Sequence, residues 1–254
     1  MKEQIPSWLE LIQLDKTDST SNQLKLHTQV KEMTVLTAEY QTAGRGQRGN
    51  SWESERGANL AFSILTAPKG VNASHQFILS QAISLAVLET LKAYHTDFRI
   101  KWPNDIYWRD KKMGGILIEN ELMGKRIDRC IIGIGLNINQ QEFKSNAPNP
   151  ISLSQITGKR ENREQILLAL LNRFHAYLEQ IAQGVIQPII EDYHQALYRS
   201  DGFYPYRDEK GVFLARIDHV EPQGVICLED EKGDLRYYAF KEIKTILEDI
   251  ELPN

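Results

Sequence analysis

The glycine-rich string Gly44-Arg45-Gly46-Gln47-Arg48-Gly49 has a β-like run on each side, and this setting limits the folds open to the chain. Residues 34–40 (TVLTAEY) read as a strand before it, and residues 59–66 (NLAFSILT) as a strand after it. A dinucleotide-binding G-x-G-x-x-G string needs a helix N-terminus behind it to receive the pyrophosphate. Here the string continues into Asn50-Ser51-Trp52-Glu53-Ser54 and Gly57, so the doubly wound reading fails. No Gly-Lys-[Ser/Thr] closes a P-loop, and the H-R-D and D-F-G elements of a protein kinase are missing. What remains is a strand–loop–strand unit carrying Arg45, Arg48 and Trp52. Glycines let backbone N–H groups approach an anion, and arginine offers a forked donor for phosphate or carboxylate. The bland alternative is a solvated hairpin loop.

The rest of the chain suits one large domain, or a medium domain with a small appendix. Residues 74–94 are apolar-rich and free of glycine and proline, which predicts a buried helix. Strand-like runs follow at 98–107, 115–122 and 129–137. Residues 161–183 predict a second helix, with Leu167, Leu170, Leu171, Phe174, Leu178 and Ile181 on one face. Asn162 is its N-cap, with Gln165 three residues on, and a third helix starts near Pro188. After Arg199 short β-like runs at 211–220, 225–228 and 235–240 alternate with turns such as Glu221-Pro222-Gln223-Gly224. Such spacing predicts a small all-β barrel of about 50 residues. The expected units are 1–199 and 200–254.

A net charge of −4 supplies no basic field for a polyanion, so nucleic acid is not an expected partner. No apolar run approaches the length of a membrane span, and residues 1–6 hold no signal core. The expectation is a cytoplasmic protein with no membrane partner. Cys130 and Cys227 form no C-x-x-C unit and read as buried, reduced and inert. The six histidines show no ligand-like spacing and are assigned neither a metal nor a catalytic role. With no nucleophile–base pair evident, the expected chemistry is electrostatic: cations and Mg²⁺ around a phosphate under attack.

Three further clusters carry polar chemistry. In Lys101-Trp102-Pro103-Asn104-Asp105, the proline pushes Trp102 toward extended geometry, and Asn104 and Asp105 offer oxygens suited to Mg²⁺. A turn closing a strand is the alternative. In Lys111-Lys112-Met113-Gly114-Gly115, paired lysines before paired glycines suggest a charge at the rim of a sheet, or else a turn with solvated lysines. Glycines inside the strand-like Gly133-Ile134-Gly135-Leu136-Asn137 imply close approach by a ligand or backbone, or else a bulge. Near the start, Asp18-Ser19-Thr20-Ser21-Asn22 opens a short helix whose hydroxyls cap it or face a polar ligand.

In this order the clusters resemble the biotin–protein ligases, over nearly the whole chain from about Asp18. The glycine-arginine loop combined with KWPND and KMGGIL is the specific part. The resemblance implies an α+β fold. Its parts would be a class II aminoacyl-tRNA synthetase-like catalytic domain (a mixed, largely antiparallel sheet with helices) and a small SH3-like β-barrel. It implies that biotin and MgATP give biotinyl-5′-AMP, which passes biotin to a lysine of a biotin carboxyl-carrier domain, as in acetyl-CoA carboxylase. ATP, Mg²⁺ and biotin would enter as substrates, with no tightly bound cofactor.

By position, the resemblance assigns biotin contacts to Ser19, Thr20, Ser21 and Gln41, and to Gly44, Arg45, Gly46 and Gln47 of the loop. Arg45 and Lys112 would be the catalytic pair on the carboxylate and α-phosphate, and Gly115 and Gly133 would leave room for the ligand. ATP and adenylate contacts fall to Arg48, Trp52, Lys101, Asn104 and Asn137, and Mg²⁺ to Asp105 by way of the ATP phosphates. Trp52 would pack over the closing loop.

The family loop often reads G-R-G-R-R-G-R, with arginines where this chain has Gln47 and Asn50. An arginine in place of Gln47 helps retain the acyl-adenylate. Some members carry an N-terminal DNA-binding domain; seventeen residues before Asp18 are too few for a winged helix, so a ligase without a repressor domain is expected. A homodimer is left open. The nearest rival is a lipoate–protein ligase, against which the loop and the KWPND–KMGGIL pairing favour biotin. A non-enzymatic biotin or nucleotide sensor is a rival of another class.

Overall fold

The computed structural model describes residues 5–144 and 149–247, and of Arg48 the backbone alone. Seven strands form the main sheet: β1 (Leu9–Thr17), β2 (Met33–Gln41), β3 (Leu60–Thr66), β4 (Phe98–Lys101), β5 (Asp105–Trp108), β6 (Lys111–Met123) and β7 (Arg126–Leu136). Their spatial order is β1-β2-β3-β7-β6-β5-β4. β1 runs parallel to β2 and the remaining neighbours are antiparallel, so the sheet is mixed.

β3 is buried along its whole length because helices cover both faces of the sheet there. On one face Phe62 and Ile64 join the main core with α2 (Phe77–Lys92) and α4 (Arg163–Ala182). On the other, Leu65 joins Leu36, Ile131 and Leu24 of α1 (Thr20–Lys25). Strand side chains alternate between faces, so a strand covered twice reads as the continuous run NLAFSILT. Asn162 caps α4 by accepting from the N–H groups of Glu164 and Gln165 at 3.0 and 3.2 Å. α5 (Gln187–Gln195) carries its proline in the first turn.

The single strand-like run 98–107 divides into a hairpin, β4 and β5, turning at Trp102–Asn104 across a cis Trp102–Pro103 bond. Pro103 has no N–H to give a ladder, so the string is a turn and Asp105 opens the next strand. Lys111 and Lys112 lie within β6, not in a turn before it. Among the elements with too weak a pattern to read, three have plain causes. β1 is a half-exposed edge strand broken by Glu10, Asp15 and Lys16. α3 (Leu153–Thr157) is one turn held by a Ser152–Gln155 capping box. β8 (Tyr204–Asp208) contains Pro205.

β8 pairs with β9 (Gly211–Val220), and β10 (Ile226–Asp230), β11 (Leu235–Tyr238) and β12 (Lys244–Thr245) complete a second, antiparallel sheet ordered β11-β10-β9-β8-β12. It docks on the first through the β9–β10 turn. The Phe77 N–H donates to Pro222 O at 3.3 Å, and Trp102 Nε1 donates to Gly224 O at 3.0 Å. Gly224 (φ +93°) has no room for a side chain, whose Cβ would stand 2.6 Å from the Phe77 ring.

Candidate active site

The α1 face of β3, β7 and β6 carries a hollow because the strands there lack side chains. Gly115 of β6 pairs directly with Gly135 of β7, and Gly133 pairs with Ser63 on one side and Leu117 on the other. A Cβ at Gly133 would lie 2.7 Å from Ser21 Oγ, and one at Gly135 would stand inside the Trp52 indole. The glycine loop closes over this floor as a small hairpin, with Gly46 N–H to Asn50 O at 2.7 Å and Trp52 N–H to Gly44 O at 2.9 Å. Its last residue, Trp52, thus lies against the glycine floor. The remaining cavity is about 60 Å³.

One end of the hollow is a chain of hydroxyls. Gln41 Oε1 accepts from the Thr20 N–H at 2.8 Å and from Thr20 Oγ1 at 3.1 Å. Only an oxygen can accept from a backbone N–H, so the Gln41 amide is fixed with its Nε2 free to donate elsewhere. Each hydroxyl has a single proton. Thr20 has given its own to Gln41, so across the 2.7 Å contact it accepts from Ser63, and Ser63 in turn accepts from Ser21 at 2.9 Å. The direction of the relay, Ser21 to Ser63 to Thr20 to Gln41, follows from that count. Asp18 anchors the segment by accepting from Asn22 Nδ2 and Gln23 Nε2 at 2.8 and 3.1 Å. Those amides and the Ser19 N–H hold its carboxyl well below the usual range.

Ser63 is a site residue that the sequence reading missed. Its signal was a hydroxyl within an otherwise apolar, fully buried strand. Ser63→Ala leaves the Thr20 oxygen and the Ser21 proton without their buried partner, which costs about 1–3 kcal/mol of stability. A lowered urea midpoint is expected; an unchanged one would show that the relay holds nothing in place.

The other end is charged. Lys112 Nζ meets Asp105 Oδ1 at 2.7 Å, beside Gly115. Asn104 Nδ2 donates to Ile116 O at 2.5 Å and so clips the 102–104 turn to β6. Arg45 forks onto Glu119, with both bonds at 3.0 Å, and also reaches Asn22 Oδ1 at 3.2 Å. Lys25 shares Glu119 at 2.8 Å. Burial raises the Glu119 carboxyl, but Lys25 and Arg45 outweigh it and hold the group below its ordinary value. Lys101 lies over the Tyr107 ring, and burial pushes its ammonium group down, against the pull of Asp105.

The hollow thus gathers Ser19, Thr20, Ser21, Gln41, Arg45, Trp52, Asn104, Asp105, Lys112, Gly115 and Gly133. Gly44 and Gly46 shape the loop: a Cβ at Gly44 would meet Trp52 O at 2.5 Å. Gln47 and Lys101 line an adjoining open groove of about 700 Å³, which continues from the hollow past Asn104, Asp105 and Lys112. The Gln47 Oε1 is buried without a hydrogen-bond partner among the described residues. Asn137 is not brought to the hollow; it is buried and donates to Ile151 O at 3.2 Å. The Arg48 side chain lies outside the described residues. Trp52 was expected over the loop but reaches the glycine floor, because Gly135 leaves its ring a place.

Together, a mixed sheet, a floor without side chains, a hydroxyl-and-amide end and a lysine–carboxylate end define a pocket for a small, acidic molecule. The chain belongs to the Biotin/lipoate A/B protein ligase family, whose model matches residues 11–137. It is 31% identical over 238 residues to the bifunctional ligase/repressor BirA of Bacillus subtilis, covering 89% of this chain and 70% of that protein. It is 30% identical over 184 residues to the biotin–[acetyl-CoA-carboxylase] ligase of Paracoccus denitrificans, covering 69% and 76%. The structure of the biotin protein ligase from Aquifex aeolicus in complex with biotin and ATP is similar with a TM-score of 0.77 at 29% identity, covering 93% of this chain and 99% of that one.

Proposed function

We propose that the protein ligates biotin to a carrier-domain lysine, such as that of acetyl-CoA carboxylase, at the expense of ATP and by way of biotinyl-5′-AMP. The carrying observation is the hydroxyl relay facing Lys112 across a glycine floor. A ureido ring presents N–H donors and a carbonyl acceptor to such an end. The dithiolane of lipoate presents neither, so the buried polar groups would go unpaired at a cost that discriminates strongly.

In the first step the biotin carboxylate oxygen attacks the α-phosphorus of ATP; the bond to the bridging oxygen breaks and pyrophosphate leaves. In the second the lysine amine attacks the acyl carbon, loses its proton, and AMP leaves. The carboxylate and the phosphate repel each other, so Lys112 and Arg45 lower the barrier by holding both. The adjoining groove has room for the nucleotide, with Lys101, Asn104, Trp52 and Arg48 serving it. Asp105, the acidic residue in the lining of the hollow itself, fits Mg²⁺, and the ion would supply charge neutralisation at the phosphates. Its present partner is Lys112.

We assign residues 1–199 to a class II synthetase-like catalytic domain and 200–254 to an SH3-like domain, a reading supported by the two separate sheets. The partner is the carrier domain, and the place of action the cytoplasm. No described helix is long and apolar enough to cross a membrane. The test is pyrophosphate release with ATP and biotin, lipoate or octanoate in parallel. Biotin-dependent release is expected; release driven by lipoate or octanoate alone would overturn the substrate, and none with any acid would overturn the chemistry.

A further inference from the structure

Asp218, His219 and Cys227 lie in the second sheet, and their ligand atoms fall within 4.8 Å of one another, a grouping not repeated among the described residues. Nothing in their linear spacing suggests it; the β9–β10 ladder makes it. Ile217 pairs with Leu228 and His219 with Cys227, which leaves Asp218 as the extra residue of a β-bulge. A bulge sets two consecutive residues opposite one on the partner strand, and so Asp218 and His219 both come to Cys227. On its other side Cys227 pairs with Tyr237 of β11, whose ring meets the His219 ring edge-on with centroids 6.3 Å apart. The thiol is covered by these neighbours and has no exposure. His219 Nδ1 stands 2.6 Å from Asp218 Oδ2 and Nε2 stands 3.1 Å from Glu221 Oε1.

We propose that Asp218, His219 and Cys227 form a zinc site, with Glu221 as the carboxylate that orients the imidazole. A thiolate, an imidazole and a carboxylate make the borderline-soft set that zinc takes, with a fourth position left for water. Nδ1, which faces Asp218, can accept the ion while Nε2 keeps the Glu221 carboxylate, the arrangement that fixes tautomer and orientation in metal-bound histidines. Zinc–ligand bonds of about 2.0–2.3 Å require the three atoms to draw in somewhat from their present spread. The Asp218 and His219 side chains are 40% and 41% exposed, which leaves them free to turn. Binding transfers the Cys227 thiol proton, and the imidazolium proton where present, to solvent. The affinity therefore rises with pH.

The site lies at the base of the turn that holds the catalytic hairpin. Glu221 N–H donates to Val225 O at 2.8 Å, and Gly224 O is the acceptor for Trp102 Nε1. An ion drawn between His219 and Cys227 fixes both strands of that turn, whose Gly224 O holds Trp102, two residues before Asn104.

Cobalt(II) titration of the whole protein tests this, since a thiolate ligand gives a near-ultraviolet charge-transfer band that zinc then bleaches. One equivalent of such cobalt is expected. His219→Ala and Cys227→Ser should each weaken it about a hundredfold or more, and Glu221→Gln about tenfold, as an outer partner of a ligating histidine does. Cys130→Ser, at the chain's other free thiol, should leave the band unchanged. His219→Ala serves as the reporter should Cys227→Ser fail to fold. No band in the wild type, or a band that persists in either ligand variant, would overturn the site.

Discussion

Lys112→Ala is expected to lower biotin-dependent pyrophosphate release by about 10²–10³-fold, the usual effect of removing one preorganised charge from a reacting oxygen. The fold should survive. The backbone of Lys112 keeps its bonds to Asn149 O and from the Ile151 N–H whatever side chain it carries, and its neighbours Lys111 and Met113 continue β6. What is lost is the cation 2.7 Å from Asp105 at the edge of the glycine floor. A second effect acts in the same direction: Asp105 loses its ion-pair partner and repels the incoming carboxylate more strongly. Release within threefold of the wild type, at saturating biotin and ATP, would remove Lys112 from the chemistry.

Gly133→Val should raise the biotin KM about a hundredfold while leaving the ATP KM nearly unchanged. Valine suits a strand, and β7 can accept it in backbone terms. The obstacle is on the pocket face, where the first added carbon already lies 2.7 Å from Ser21 Oγ. Ser21 is the head of the hydroxyl relay, so moving it breaks the bond to Ser63 as well as filling space. Overpacking costs about 1–3 kcal/mol, and a broken buried hydrogen bond about as much again. The ATP groove is lined by other residues, which gives the experiment its internal control. Equal rises in both constants would mean a damaged fold and not a narrowed pocket.

Much of this candidate site was legible in the sequence because its polar groups are concentrated in short strings. Glycines beside arginines, and lysines beside glycines, are combinations that a solvated surface has little use for. The residues that escaped are those whose role depends on register. Ser63 looks like a minor blemish in an apolar strand until its pairing with Gly133 sets it beneath α1. Glu119 is one of two acids along β6 until the sheet brings it under Arg45 and Lys25. Asn137 failed in the opposite sense: it follows two glycines of the pocket floor, yet its backbone and side chain are used up by Met113, Leu153 and Ile151. The strand-like run 98–107 concealed a hairpin because the apolar pattern continues on both sides of Pro103.

The position of the Trp52 ring sets a toll on every measurement of binding. The space left beside the Trp52 indole, about 60 Å³, is too small for an acyl chain. A ligand laid along the glycines is therefore taken up by molecules in which the ring has swung aside. The observed dissociation constant is then the intrinsic one divided by the fraction of such molecules. The indole N–H has no hydrogen-bond partner among the described residues where it now lies, which reduces the free energy of withdrawing it. A chain built this way screens its visitors twice: once by how well they fit the floor, and once by how often they arrive while the ring is away.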